Sequence, residues 1–234
     1  RRLKALDGAA AFKPDFVLFP ELVLQSGCGD FRTMAALAEP VPDGPTFVGA
    51  ARKARELQAH LILPLFEKAD GRVYNTAALI GRDGRLIGRY RKFQPTGYEI
   101  RDGVTPGDTV PVWETDRGRV GIAICFDLKF PEVGLALSRG GAQAVFFPTM
   151  FYGGQRLVAW AMDYGFVLVR AHGSGARIID PTGATLAAEG PARTLAGSSA
   201  AVRWAHAEVN LDHRTYHLDF HGEALAAMRA AYGD

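Results

Sequence analysis

Cysteine is scarce in this chain. Cys28 and Cys125 are the only two among 234 residues, too few for a disulfide-dense secreted scaffold. An excess of charge is missing as well. The 27 Lys and Arg stand against 25 Asp and Glu, a formal net charge of +2, so the chain lacks the electrostatic footprint of a nucleic-acid or anionic-membrane binder. No apolar run approaches the ~18–20 residues that cross a bilayer. The 27 Gly and 13 Pro keep no fixed period, which excludes a fibrous repeat. An apolar fraction of 48% against 22% charged residues excludes intrinsic disorder. An initiating Met is also lacking: the chain opens Arg1-Arg2-Leu3-Lys4-Ala5-Leu6, without a signal-peptide core, and reads as the interior of a helix. No linker, repeat or low-complexity stretch divides it, so one domain over residues 1–234 with one packed core is expected. Cysteine usage gives a cytoplasmic location by default.

What is present is a succession of strand-length apolar runs. They lie at residues 16–19, 61–66, 73–80, 86–90, 110–113, 120–125, 144–147, 166–169, 176–179 and, in part, 200–211. Several are continuously apolar, the mark of strands buried on both faces. Helical spacing appears after Pro45, a residue suited to a first helical position, with Phe47, Ala51, Ala54 and Leu57 on one side. Residues 133–137, 157–164 and the Ala-rich 223–232 also read as helices. Arg82-Asp83-Gly84-Arg85 and Pro181-Thr182-Gly183 are hairpin turns. Strands separated partly by helices and partly by hairpins predict an α/β protein with helices outside its sheets.

Three polar residues stand at strand exits. Cys125 ends Val120-Gly121-Ile122-Ala123-Ile124 and precedes a helical pattern. A strand, a sharp turn and a helix would place its sulfur on an elbow near a positive helix end, which lowers a thiol pKa and makes a nucleophile. A small buried core cysteine is the bland reading. Glu21 follows Phe16-Val17-Leu18-Phe19-Pro20, and Lys92 follows Leu86-Ile87-Gly88-Arg89-Tyr90-Arg91. Alone, each is usually a solvated surface charge. Together, a thiol, a carboxylate and an ammonium supply the nucleophile, the proton shuttle and the oxyanion stabiliser of acyl transfer. Such groups gather beyond the carboxyl ends of strands in open α/β sheets.

The strings FVLFPEL around Glu21, YRKFQPTGYE around Lys92 and Glu99, and GIAICFDLKFPE around Cys125 resemble the nitrilase superfamily of carbon–nitrogen hydrolases. YNTAALIGRDGRLIGRYRK, TPGD and RIIDPTGATLAAE extend the likeness in the family's order from about residue 15 to the C-terminus. The resemblance implies a four-layer α-β-β-α sandwich, commonly paired as a homodimer, with a Glu-Lys-Cys triad and no cofactor. Carried over by motif, Glu21 is the general base and acid, Lys92 the electrostatic stabiliser and Cys125 the nucleophile. Glu99 matches, more loosely, a second glutamate that orients the triad and the attacking water. The Phe126 N–H joins the oxyanion site. The implied chemistry is attack of Cys125 on an amide or N-carbamoyl group of a small molecule, a thioester, and its hydrolysis. Lys129 stands where some members bind a substrate carboxylate, and is equally readable as a surface lysine. Phe151 and Tyr152 lie where the family builds a pocket wall, and core packing accounts for them as well. The family opens with a strand that precedes the first motif, so the fold is expected to lack its first strand here.

Three other readings remain at the level of sequence. His213, His217 and His221, with His206 nearby, would share one face of a continuous helix and suit zinc, but their segment has poor helix signals and no metal is expected. A Cys28–Cys125 disulfide would extinguish the nucleophile, and the intact set of Glu21, Lys92 and Cys125 argues against a silent binding or assembly protein on the same fold. Asp127, Glu132 and His172 also fall near the proposed pocket. Structural roles suit them best, and for His172 a partly buried ring with a backbone partner is expected.

Overall fold

The computed structural model describes residues 2–190, 204–216 and 218–233. A 3-10 helix, Arg2–Phe12, leads into β1 (Phe16–Leu18), followed by α1 (Phe31–Ala35) and α2 (Pro45–Leu57). Three strands succeed one another next: β2 (His60–Ala69), β3 (Arg72–Ile80) and β4 (Leu86–Arg91). After α3 (Gly97–Arg101) come β5 (Val112–Thr115), β6 (Gly118–Ile122), a 3-10 turn at Cys125–Lys129 and α4 (Pro131–Arg139). The remainder is β7 (Ala144–Thr149), α5 (Arg156–Tyr164), β8 (Val167–His172), β9 (Gly175–Ile179), β10 (Thr185–Glu189) and α6 (Leu218–Tyr232).

The strands form two sheets, β1-β2-β3-β4 and β10-β9-β8-β7-β6-β5. β1 runs parallel to β2, and β6, β7 and β8 are mutually parallel. The remaining pairs are antiparallel, with β3 and β4 joined at the Asp83-Gly84 turn and β9 and β10 at Thr182-Gly183. Side-chain alternation with period 2 explains the layering. On β2, Leu61, Leu63 and Leu65 face α2, where Phe47, Ala50, Ala51 and Ala54 cover them. Ile62 faces the other way and joins Ala77, Leu79 and Tyr90 against Val120, Ile122, Ala144, Phe146 and Val167 of the second sheet. On that sheet's far side, Val145, Phe147 and Leu168 pack under Val133 and Leu137 of α4 and Leu157 and Trp160 of α5. The result is helix, sheet, sheet, helix. Close approach depends on missing side chains at two places: a Cβ on Gly88 would lie 2.0 Å from Trp113 across the sheets, and one on Gly134 would lie 2.1 Å from Tyr164 between α4 and α5.

Several sequence expectations are adjusted. Residues 204–210 form no strand, and residues 201–203, like the rest of 191–203, lie outside the described residues. His213 sits outside the helix that carries His221, and His217 is not among the described residues. Among the described residues no three His, Cys, Asp or Glu gather to hold a metal. Both cysteines are free thiols, Cys28 exposed and Cys125 buried. No helix among the described residues is long and apolar enough to cross a membrane.

Candidate active site

Glu21, Lys92, Glu99 and Cys125 converge at one end of the two sheets. β1 ends at Leu18, and the chain turns through Pro20 to Glu21, with Leu22 at φ +49°. β4 ends at Arg91, so Lys92 is the first residue past its strand, its N–H donating to the Asn75 carbonyl at 2.7 Å. Glu99 is the third residue of α3, and its placement follows from capping. The Glu99 N–H donates to Thr96 Oγ1 at 3.3 Å while Glu99 Oε2 accepts from the Thr96 N–H at 2.7 Å, a reciprocal capping box.

The side chains close a ring of hydrogen bonds. Lys92 Nζ donates to Glu21 Oε1 at 3.0 Å and to Glu99 Oε2 at 2.8 Å. Asn75 Nδ2 donates to Glu21 Oε1 at 2.9 Å and to Glu99 Oε1 at 2.7 Å. Two carboxylates thus share one ammonium and one amide, all four side chains buried. Buried charges survive only when paired and hydrogen-bonded. The remaining oxygen of Glu21, Oε2, accepts the Met150 N–H at 2.8 Å, which ties the first sheet's glutamate to the loop after β7.

Cys125 takes φ +50°, a left-handed conformation that costs a non-glycine residue about 1–3 kcal/mol and is typically stored at functional turns. Asp127 holds the turn. Its Oδ2 accepts the Ile124 N–H at 2.8 Å and the Tyr90 hydroxyl at 2.7 Å, and its Oδ1 accepts the Gln94 N–H at 2.8 Å. One buried carboxylate therefore fastens the segment after Lys92 to the segment before Cys125. Burial pushes that carboxyl up to about 6, against the pull of Tyr90 and the two backbone N–H groups.

The expected low-pKa thiol is overturned. Burial, then the neighbouring Glu21 carboxylate, pushes Cys125 up to about 12, although Lys92, the Met150 N–H and the Thr149 hydroxyl favour the thiolate. The backbone also departs from the expectation: Cys125–Lys129 form a five-residue 3-10 turn, and the α-helix begins only at Pro131. The segment that opens at Cys125 is thus a short 3-10 turn and not an α-helix, and burial and the neighbouring Glu21 favour the neutral thiol. For Lys92, burial alone would lower the pKa, but Glu21, Cys125 and Glu99 together hold the ammonium well above its ordinary range. Glu99 behaves likewise: burial would raise it, and Lys92, Asn75 and Thr96 hold it below the usual carboxylate range.

The other residues singled out from sequence fall as follows. Phe126 is half-buried with its ring edge-on to Phe130, 5.3 Å between centroids. Lys129 is exposed at the end of the 3-10 turn. Phe151 is half-buried, its ring edge-on to Phe147. Tyr152 lies under the guanidinium of Arg170, 5.0 Å from ring centroid to Cζ. Glu132 is exposed in the first turn of α4, whereas His172 is partly buried and contacts the Met150 carbonyl. Sequence reasoning passed over Asn75, Tyr90 and Thr149. A signal existed for Asn75: an amide inside the buried run Val73-Tyr74-Asn75-Thr76-Ala77-Ala78 must find partners.

Residues 1–202 match the family model for carbon–nitrogen hydrolases. The chain belongs to the carbon–nitrogen hydrolase family. Among curated relatives, an N-carbamoylputrescine amidase of Solanum lycopersicum is 38% identical over 116 residues, covering 48% of this chain and 39% of that protein. A bifunctional nitrilase/nitrile hydratase of Lupinus angustifolius is 30% identical over 164 residues, covering 62% of this chain and 47% of the relative. The matched segments thus span less than half the length of these two relatives. Among solved structures, an amidase from Nesterenkonia sp. AN1 superimposes with a TM-score of 0.71 at 24% identity, covering 80% of each chain. A nitrilase-superfamily member of Saccharomyces cerevisiae gives 0.67 at 22% identity over 79% of each chain. The fold is the nitrilase-superfamily sandwich.

Proposed function

We propose that this carbon–nitrogen hydrolase cleaves a non-peptide C–N bond of a small molecule, an amide or an N-carbamoyl group, through a thioester on Cys125. The observation that carries the reading is the buried grouping of a thiol, a doubly held ammonium and a carboxylate. The high thiol pKa makes the order of events specific. Cys125 attacks as its proton passes to Glu21, since a free thiolate is not the resting state. The new S–C bond pushes negative charge onto the substrate oxygen. Two of the three N–H donors of Lys92 are engaged by Glu21 and Glu99; the third, with the Phe126 N–H, is assigned to that oxyanion. Glu21 then gives its proton to the leaving nitrogen as the C–N bond breaks, releasing ammonia or an amine. Water attacks the thioester, Glu21 takes its proton, and the S–C bond breaks as the sulfur regains a proton. Glu99 has both oxygens committed, to Lys92, Asn75 and Thr96, which suits a residue that aims the ammonium.

The N-carbamoyl option draws on the amidase named among the relatives, and the amide option on the amidase among the structural neighbours. Phe151 and Tyr152 are assigned to the substrate wall, and Lys129 to a substrate carboxylate. Assembly as a homodimer and a cytoplasmic location complete the reading. The test is ammonia release across a panel of aliphatic amides and N-carbamoyl amines, comparing the protein with Cys125→Ala. The expected result is turnover on at least one class that disappears in the variant. Undiminished turnover by Cys125→Ala would overturn the mechanism.

A further inference from the structure

The loop after β7 is held residue by residue. Thr149 Oγ1 donates to the Phe151 carbonyl at 2.9 Å and accepts the Phe151 N–H at 3.0 Å. Arg170 Nη1 donates to the Tyr152 carbonyl at 3.1 Å. Between them stands Met150, whose N–H reaches Glu21 Oε2 and favours the Cys125 thiolate. The Met150–Phe151 peptide group is held at both ends: Thr149 Oγ1 accepts its N–H at 3.0 Å, and its carbonyl is met by His172 Nε2 at 3.1 Å.

A carbonyl oxygen can only accept, so His172 Nε2 carries the hydrogen. At the other side of the ring, the Ser174 N–H lies 3.1 Å from Nδ1, and the Ser174 Oγ lies 2.7 Å from it. A backbone N–H can only donate, so Nδ1 is the acceptor. The two contacts together fix the tautomer. Burial, reinforced by Arg170 two residues earlier on β8, holds the ring's pKa below its ordinary value against the Met150 carbonyl and Glu21, which favour the charged form. β8 and β7 place the ring where it is needed, with His172 in register opposite Thr149.

We infer that His172 is a positioning residue for the reaction: its Nε2–H holds the Met150 carbonyl so that the Met150 N–H points at Glu21 and Cys125. It touches no reacting atom and acts through one backbone residue. The inference rests on the proposed thiol chemistry for its purpose, but its test does not require a substrate.

The two amide side chains separate the two ends of the ring. Gln at 172 places an N–H donor near the site of Nε2, while Asn reaches only as far as Nδ1 and cannot meet the Met150 carbonyl. The measurement is the rate of Cys125 alkylation by iodoacetamide against pH, mapped by peptide mass spectrometry, with Cys28 as the internal reference. His172→Gln should stay within roughly 2-fold of the unmodified protein, whereas His172→Asn should slow Cys125 roughly 5-fold at each pH. Cys28 should not change. Long-range 1H–15N spectra of histidine-labelled protein at neutral pH should show the Nε2–H tautomer at His172. The inference is overturned if His172→Asn alkylates at the unmodified rate, if His172→Gln is as slow as His172→Asn, or if the ring carries its hydrogen on Nδ1. Hydrolysis that survives in Cys125→Ala would instead overturn the thioester reading and leave these alkylation and tautomer results standing.

Discussion

Lys92→Met is the sharpest probe of the buried charge cluster, because it keeps the aliphatic stem and removes one charge. Lys92 is 2% exposed and makes two ion pairs, 3.0 Å to Glu21 and 2.8 Å to Glu99. Its removal leaves two buried carboxylates sharing only the Asn75 amide and backbone donors. Breaking a buried pair by deleting one partner costs about 3–5 kcal/mol. For a domain of this size that corresponds to a drop in Tm of roughly 6–20 °C. The loss also has a pH signature. In the unmodified protein Glu99 is held below its ordinary value, chiefly by Lys92 working against burial. Its contribution is therefore present above the unfolded pKa and fades as the pH falls through the lower folded value. Without Lys92 burial wins, and the folded pKa rises above the unfolded one. The contribution of Glu99 is then greatest below the unfolded pKa and is lost as the pH rises through the folded value. The two curves diverge with increasing pH. Urea denaturation at about pH 5 and about pH 7.5 should show the larger deficit at the higher pH. A deficit below ~1 kcal/mol, or one equal at both pH values, would refute this account of the cluster.

Asn75→Asp replaces two N–H donors with a third buried carboxylate beside Glu21 and Glu99. Turnover should fall by roughly 10²-fold or more, with about 3 kcal/mol lost in denaturant titration. Tyr90→Phe removes the hydroxyl that stabilises ionised Asp127 and should cost about 1–3 kcal/mol. Because burial already pushes Asp127 up to about 6, its favourable contribution lies below the unfolded pKa and is lost as the pH rises through about 6. The Tyr90→Phe deficit should therefore be larger at about pH 7.5 than at about pH 5 in the same titration. Glu67→Gln tests a structural cluster away from the chemistry. Glu67 is fully buried and binds Arg89 at 2.6 Å, Arg91 at 2.9 Å and Thr76 at 2.8 Å. Its replacement should cost about 3–5 kcal/mol while leaving the Cys125 alkylation rate unchanged.

Local chemistry made much of this protein readable in its sequence. Alternating and continuous apolar runs define nearly all the strands, since burial on one face or two imposes its own pattern on the residues. Pro45 marks the start of α2, and the Asp83-Gly84 turn marks a hairpin, because these residues fix backbone angles whatever surrounds them. Glu21, Lys92 and Cys125 were nameable from their motifs, and Thr96 and Glu99 carry a capping box within four residues. Tertiary structure decided the rest. Asn75 became part of the site only when antiparallel pairing of β3 with β4 set it beside the strand exit that holds Lys92. The charge state of Cys125 followed from its burial and from Glu21, which stands 104 positions earlier in the chain. The sequence suggested a helix terminus and a lowered pKa, but the backbone after the thiol turns as a short 3-10 segment instead. Apolar periodicity is a property of neighbours along the chain. Electrostatic environment is a property of neighbours in space, and only the closed sandwich brings those together.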